Sequence, residues 1–240
     1  MSVRLRQLVL AARDLEPAVA ALQGLLGAPA PYRDPGVGVF GLRNAVLTSG
    51  SSFVEVISPE RAGTAAGRWL DRHAGDGGYM VMVEVPDVDP VRQRLPGLGV
   101  RVVWEKELPD VVDVHLHPTD VGGCLLAVDA VSPPGSWRWA GPPWTGRVPV
   151  APGGLRALEL AVPDPQAVAN RWRAVLGLPH ASGPDLVLDG ESRIRFTAQD
   201  DPTRQGVVGA TLALPAATPR RAVVAGVELN LVPLEEDEQT

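Results

Sequence analysis

The sequence predicts an α+β protein built of tandem strand–helix–strand repeats, and three stretches with one grammar carry that reading. They are RQLVLAARDLEPAVAAL from Arg6, GYMVMVEVPDVDPVRQRL from Gly78 and LRALELAVPDPQAVANRW from Leu155. In each, an apolar strand runs into an Asp with a Pro nearby, and a helix begins just beyond. Asp can accept hydrogen bonds from the free amides of a helix N-terminus, and Pro fits the first turn. After each helix the chain turns at glycine (GLLGAP, GLGV, VLGLP) and resumes with short strands, as in VGVFGLRNAVLTSGSSFVEVISP. The repeated unit is therefore strand, helix, then two or three strands. A fourth copy, QGVVGATLALPAATPRRAVVAGVELNLVP, is degraded: it keeps the outer strands, with only PAATPRRAVV where the helix belongs.

The spacing of these units places one domain at residues 1–131 and a second, degenerate one at 152–234, followed by an acidic tail at 235–240. Residues 132–151 between them are dense in Pro and Gly, which marks a linker or strap rather than a regular element. Trp137, Trp139 and Trp144 lie in this strap. Large aromatics bury so much apolar area that they are expected to pack the strap onto the body or over the mouth of a cavity.

Composition narrows the function. A chain of 240 residues with 45% apolar content can bury a sizeable core. A net charge of -6 and a pI near 5.2 argue against nucleic acid and anionic membranes as partners, because both draw affinity from Lys and Arg. Small-molecule chemistry is the expectation. The single cysteine, Cys124, excludes an intrachain disulfide and a thiolate zinc cluster, and its apolar strand favours an inert buried thiol. The first residues lack a signal-peptide pattern, and no apolar run approaches the roughly 20 residues that span a bilayer. The cytoplasm is the simplest compartment. No GxSxG elbow, P-loop or HExxH motif is present.

Strand alternation groups the candidate site residues. Side chains two apart share a face, so Leu5, Gln7, Val9 and Ala11 are expected on one side of the first strand, with Leu8, Leu10 and Ala12 on the other. Phe53, Glu55 and Ile57 form a matching set. A lone Gln and a lone Glu among apolar neighbours are costly to bury without partners, so they are expected to bind something or each other. In VVDVHLHP, Asp113, His115 and His117 share one face; the alternative is that this face is merely solvated.

The order of RQLVLAARDLEPAVAAL, SSFVEVISP, GDGGYMVMVEVPDVD and LHPTDVGGCLLAVD resembles the vicinal oxygen chelate superfamily, which includes glyoxalase I, methylmalonyl-CoA epimerase, extradiol dioxygenases and bleomycin-resistance proteins. GVFGLRNAVLTSGSSFVEVISP is similar to the branch described only as glyoxalase-like. The resemblance covers residues 3–130 well and 153–233 weakly. It implies tandem βαβββ repeats forming two chelate-like domains, each a curved mixed sheet around a cavity, with four inward side chains for a divalent metal. By the same resemblance those positions fall on Gln7, Glu55, Met80 and Ala127, so two of the four carry ligating groups. In the second half they fall on Ala157, Arg195 and Asn230. There the inward set Glu159, Arg193, Arg195, Glu228 and Asn230 reads as an ion-pair network, with a bidentate anion clamp as the alternative. The leading view of that half is a pseudo-domain kept for shape or dimer packing.

Three functional expectations follow. The first is a binder of a small, largely apolar organic molecule without a metal or other cofactor, anchored by Gln7 and Glu55 and walled by Phe53, Met80, Met82 and Trp104. The second is a lyase, isomerase or dioxygenase, with Glu55 and His115 as catalytic groups. Its divalent metal would sit on Gln7, Glu55 and His115, or Glu55 alone would act as base in a dry pocket. The third treats both cavities as filled cores and the strap as a partner-binding surface. A homodimer is compatible with each.

Overall fold

The computed structural model describes residues 3–73, 75–142, 152–215 and 217–234. The first repeat is β1 (Arg4–Ala11), α1 (Leu15–Leu26), β2 (Leu42–Ser49) and β3 (Ser52–Pro59), followed by α2 (Ala65–Arg72). The second comprises β4 (Gly77–Glu84), α3 (Asp89–Leu98), β5 (Val102–Leu108), β6 (Val111–Leu116), the single turn α4 (Pro118–Val121) and β7 (Leu125–Val131). The third is β8 (Gly154–Val162), α5 (Pro165–Leu176), β9 (Asp185–Leu188) and β10 (Ser192–Ala198). The fourth has β11 (Gly206–Leu214), β12 (Arg220–Val224) and β13 (Val227–Pro233). RRAVV, the segment read as a helix remnant, is the strand β12, paired antiparallel with β13. Two adjacent β-branched residues, Val223 and Val224, suit a pleated strand better than a one-turn helix.

The Asp that precedes each helix behaves differently in each copy. Asp164 caps α5 by accepting the Ala167 amide. Asp87, one residue before the N-cap position, accepts the Asp89 amide, and Asp14 precedes α1 without a side-chain cap.

In the N-terminal half the strand order is β2-β3-β1-β4-β7-β6-β5, and in the C-terminal half β9-β10-β8-β11-β13-β12. Within each half the first strands of the two repeats lie antiparallel, β1 on β4 and β8 on β11. One apolar core runs beneath both halves, where α1, α3 and α5 pack with Leu8, Leu10, Val81, Val83, Leu158 and Leu160. A second core lies on the opposite, concave face of the N-terminal sheet.

Leu5 joins the first core rather than the Gln7 face. A bulge between Leu5 and Gln7 in the β1–β4 ladder inserts Arg6 as an extra residue, so alternation loses step there.

Among the described residues the sheets of the two halves share one ladder pair, Gly78 on β4 with Val207 on β11. A Cβ on Gly78 would overlap both the Cβ and the carbonyl oxygen of Val207. Gly78→Ala is therefore expected to destabilise the protein by about 1–3 kcal/mol, the usual range for forced overpacking. Chemical denaturation reads this directly, and an unchanged midpoint would show that β4 and β11 do not approach so closely.

Candidate functional site

The concave face of the N-terminal sheet gathers the predicted residues. The ladders place Gln7 beside Phe53 and Met82, Val9 beside Glu55 and Met80, and Met82 beside Ala127. Phe53, Met80, Met82, Ala127, Val9, Ala11 and Ile57 pack in one cluster with Trp137 of the strap and with Ala66 and Leu70 of α2. Helix α2 had no signal in the reading of repeats; Thr64 starts it by accepting the Gly67 amide.

Glu55 lies at the centre and is 7% exposed. Each of its carboxylate oxygens takes an amide N–H: Gln7 donates to Oε2 at 2.6 Å and Asn44 to Oε1 at 2.6 Å. Beyond these, the Trp137 indole donates to Gln7 Oε1 at 2.7 Å, and the Asp34 backbone amide donates to Asn44 Oδ1 at 2.8 Å. Burial pushes the Glu55 carboxyl up to about 7, against the two amide donors, with Asp34 adding to the rise. A carboxyl poised there can hold or move a proton near neutral pH.

Trp137 is wholly buried, and its ring stacks on Phe53 at 6.0 Å between centroids with 5° between planes. The Arg6 guanidinium lies 4.9 Å from the Trp137 ring centroid and 5.7 Å from that of Phe53. Glu84 accepts from Arg6 at 2.6 Å. The expectation that strap tryptophans pack onto the body holds for Trp137 and for Trp139, which donates to Asp129 Oδ1 at 2.9 Å. Trp144 lies outside the described residues.

A further polar group lies along the same face. Asp129 sits opposite Asp113 in the β6–β7 ladder and next to Glu84 in the β4–β7 ladder. Burial, and then the Asp113 charge, hold the Asp129 carboxyl well above the usual range. His115 contacts Asp113 at 3.1 Å, and its ring lies against Trp104, which meets Phe40 edge-on. Trp104, on the edge strand β5, and His115, opposite Ala127 on β6, thus form an aromatic group, whereas Gln7 and Glu55 sit on β1 and β3. His117 caps α4, accepting the Thr119 amide.

The donor set can be tested against a divalent metal. Met80 and Ala127 supply no hard donor, and the Gln7 oxygen is engaged by an N–H that can only donate. Glu55 alone falls short of the three protein ligands of a catalytic zinc or the several oxygens a hard cation takes. Among the described residues no cluster of three or more His, Cys, Asp or Glu side chains has metal-binding geometry. These residues do not fit the metal.

Asn44, Arg6, Glu84, Asp129 and Trp137 were not singled out as site residues. Period-two extension would have found Glu84, two beyond Met82, and Asp129, two beyond Ala127. Nothing periodic marks Trp137.

On the C-terminal half, Glu159, Arg193, Arg195 and Glu228 are exposed and Asn230 is half-buried, so they do not line a closed cavity. Asp185 lies 3.7 Å from Arg193 and 3.5 Å from Arg195, and Arg221 lies 3.5 Å from Glu228. These ion pairs take Asp185 and Arg221 as partners and join no two members of the expected set, within which Asn230 donates to Glu228 at 3.4 Å.

Paired repeats with antiparallel first strands, closing a sheet around a concave face, define a member of the vicinal oxygen chelate superfamily. A family model described as a glyoxalase-like domain matches residues 8–176, and the chain belongs to that family. An ethylmalonyl-CoA/methylmalonyl-CoA epimerase from Cereibacter sphaeroides is 30% identical over 136 residues, spanning 53% of this chain and 98% of the relative. A hypothetical protein from Staphylococcus aureus shares the fold over 98% of this chain and 100% of its own, with a TM-score of 0.67 at 12% identity. A mutant 4-hydroxymandelate synthase from Streptomyces coelicolor superposes on 89% of this chain and 71% of its own, with a TM-score of 0.67 at 18% identity.

Proposed function

We propose that the N-terminal half, taken as residues 1–131, binds a small, largely apolar organic molecule on its concave face, without a metal. One observation carries this reading: Glu55, held by Gln7 and Asn44, is a buried polar anchor set among Phe53, Ile57, Met80, Met82 and Ala127. Apolar walls with a few convergent polar groups are the usual make-up of a small-molecule site. The half at residues 152–234 serves shape or pairing between chains, and the cytoplasm is the proposed compartment. Among the described residues no helix is long and apolar enough to cross a membrane.

Elemental analysis of unchelated protein, with thermal melting in added Mg²⁺, Mn²⁺, Co²⁺ or Zn²⁺, tests the metal-free reading. The expected result is no stoichiometric metal and no metal-dependent shift. About one metal per chain, lost in Glu55→Ala, would overturn it.

A second reading is favoured by the acidity of Glu55. A buried carboxyl pushed up to about 7 suits proton abstraction beside a carbonyl, and a relative over about half the chain is named as an acyl-CoA epimerase. In this reading Glu55 is the base. Turnover of methylmalonyl-CoA that disappears in Glu55→Gln would establish it; turnover that survives the substitution would remove Glu55 from that role.

A further inference from the structure

Four hydrogen bonds run in series across the concave face, and their polarity is fixed from both ends. The Asp34 backbone amide and the Trp137 indole can only donate. Each points at the oxygen of an amide side chain, Asn44 at one end and Gln7 at the other, which turns both NH₂ groups towards Glu55. A carboxylate accepts from both sides and completes the series with no O–H left over. With Gln7 Nε2 committed to Glu55, the face that Gln7 turns towards the strap is an acceptor.

Trp137 shows what that acceptor takes. Its indole is fully buried, stacked flat on Phe53, covered by the Arg6 guanidinium, and donating to Gln7 Oε1. Arg6 above the ring favours an electron-rich aromatic and repels a cation. The segment carrying Trp137 lies beyond the end of β7 at Val131 and adds no strand to the sheet. It is held by the Ser132 amide on the Asp110 carbonyl, by Arg6 on the Ser136 carbonyl, and by the side chains of Trp137, Trp139 on Asp129 and Arg138 on Asp110.

We propose that this site selects flat aromatic molecules bearing an N–H or O–H donor, that Gln7 is the residue reading the donor, and that Trp137 is a built-in competitor occupying the ligand's place. The proposal rests on the reading that the N-terminal half is a binding site, and names the class of its ligand. Donor-less rings of the same shape are rejected because they leave Gln7 Oε1 buried and unpaired.

Trp137→Gly opens the ring's place, and two probes of nearly equal shape test it: indole, with an N–H, and benzofuran, with a ring oxygen instead. Calorimetry is expected to show indole binding at least about fivefold more tightly than benzofuran, the minimum effect of an unpaired buried acceptor. Adding Gln7→Met to that variant is expected to reduce the discrimination to within about twofold, because it removes the oxygen that the ring N–H reaches. Equal binding of the two probes by Trp137→Gly would overturn the donor rule and leave the binding site standing. Binding of neither by a folded variant would overturn the site itself. Should Trp137→Gly fail to fold, the wild-type protein decides by NMR, with the Trp137 Nε1–H resonance assigned by its absence in Trp137→Phe. Displacement of that resonance by indole and not by benzofuran supports the proposal; a resonance unmoved by saturating indole, or moved equally by both, overturns it.

Discussion

Trp137→Ala is expected to lower the free energy of unfolding by about 3–5 kcal/mol, the usual loss when a large buried aromatic is truncated. Three contacts disappear together: the flat stack on Phe53, the cover of Arg6, and the hydrogen bond to Gln7. Trp137→Phe separates them. It keeps an aromatic ring over Phe53 and removes the N–H, so its expected loss is smaller, about 1–3 kcal/mol, most of it from an unpaired Gln7 oxygen. Urea unfolding followed by circular dichroism measures both variants. A loss below about 1 kcal/mol for Trp137→Ala would mean that the strap does not pack on the sheet as described, since so little loss is outside the range for a fully buried aromatic.

The strength of that contact bears on how much of the site could be read in advance. Alternation grouped Gln7 with Val9 and Ala11, and Phe53 with Glu55 and Ile57; the resemblance added Met80 and Ala127, Met82 was named as a wall, and the ladders put all of them on one face. The rule follows directly from backbone pleating, so it needs no tertiary information. It failed at Leu5, because a bulge at Arg6 shifts the phase and nothing local in RLRQL announces a bulge. The same bulge brings Arg6 under Trp137, a pairing that strict alternation would have forbidden. Asn44 was missed for a different reason. Its role depends on β2 pairing with β3 in a register that sets it opposite Ile57, two pairs from Glu55, and register is a property of two strands together. Trp137 was legible as an aromatic needing burial, but its target lies 130 residues away in sequence at Gln7 and follows no period. At the fourth repeat the position of a missing helix was visible, while the strand that replaces it was not.

Stability should also fall as pH rises from about 4.5 to about 7, by about 3 kcal/mol from Glu55 alone, at about 1.4 kcal/mol per pH unit. Folded Glu55 holds its proton up to about 7, whereas unfolded it releases it near the ordinary 4.5, so across that window the folded state binds more protons. The contribution is complete below about 4.5, is lost as pH rises through about 7, and is flat beyond. Asp129, also raised by burial, gives a slope of the same sign, so Glu55 is read as the difference between wild type and Glu55→Gln across the window. A constant difference from pH 4.5 to 7 would show that Glu55 is not buried as a poised acid. The hydrogen-bond series adds a sharper consequence. A protonated Glu55 must donate to Gln7 or to Asn44, and either amide can turn its oxygen inward only by facing its NH₂ towards a group that cannot accept. In Trp137→Phe that obstacle is gone on the Gln7 side. Gln7 can then receive the Glu55 proton in a hydrogen bond, the protonated form gains about 1 kcal/mol, and the upper edge of the window should move up by about 0.5–1 pH unit. An edge that stays at the same pH would mean that Trp137 does not set the orientation of Gln7, and the donor-reading role assigned to Gln7 would fall with it.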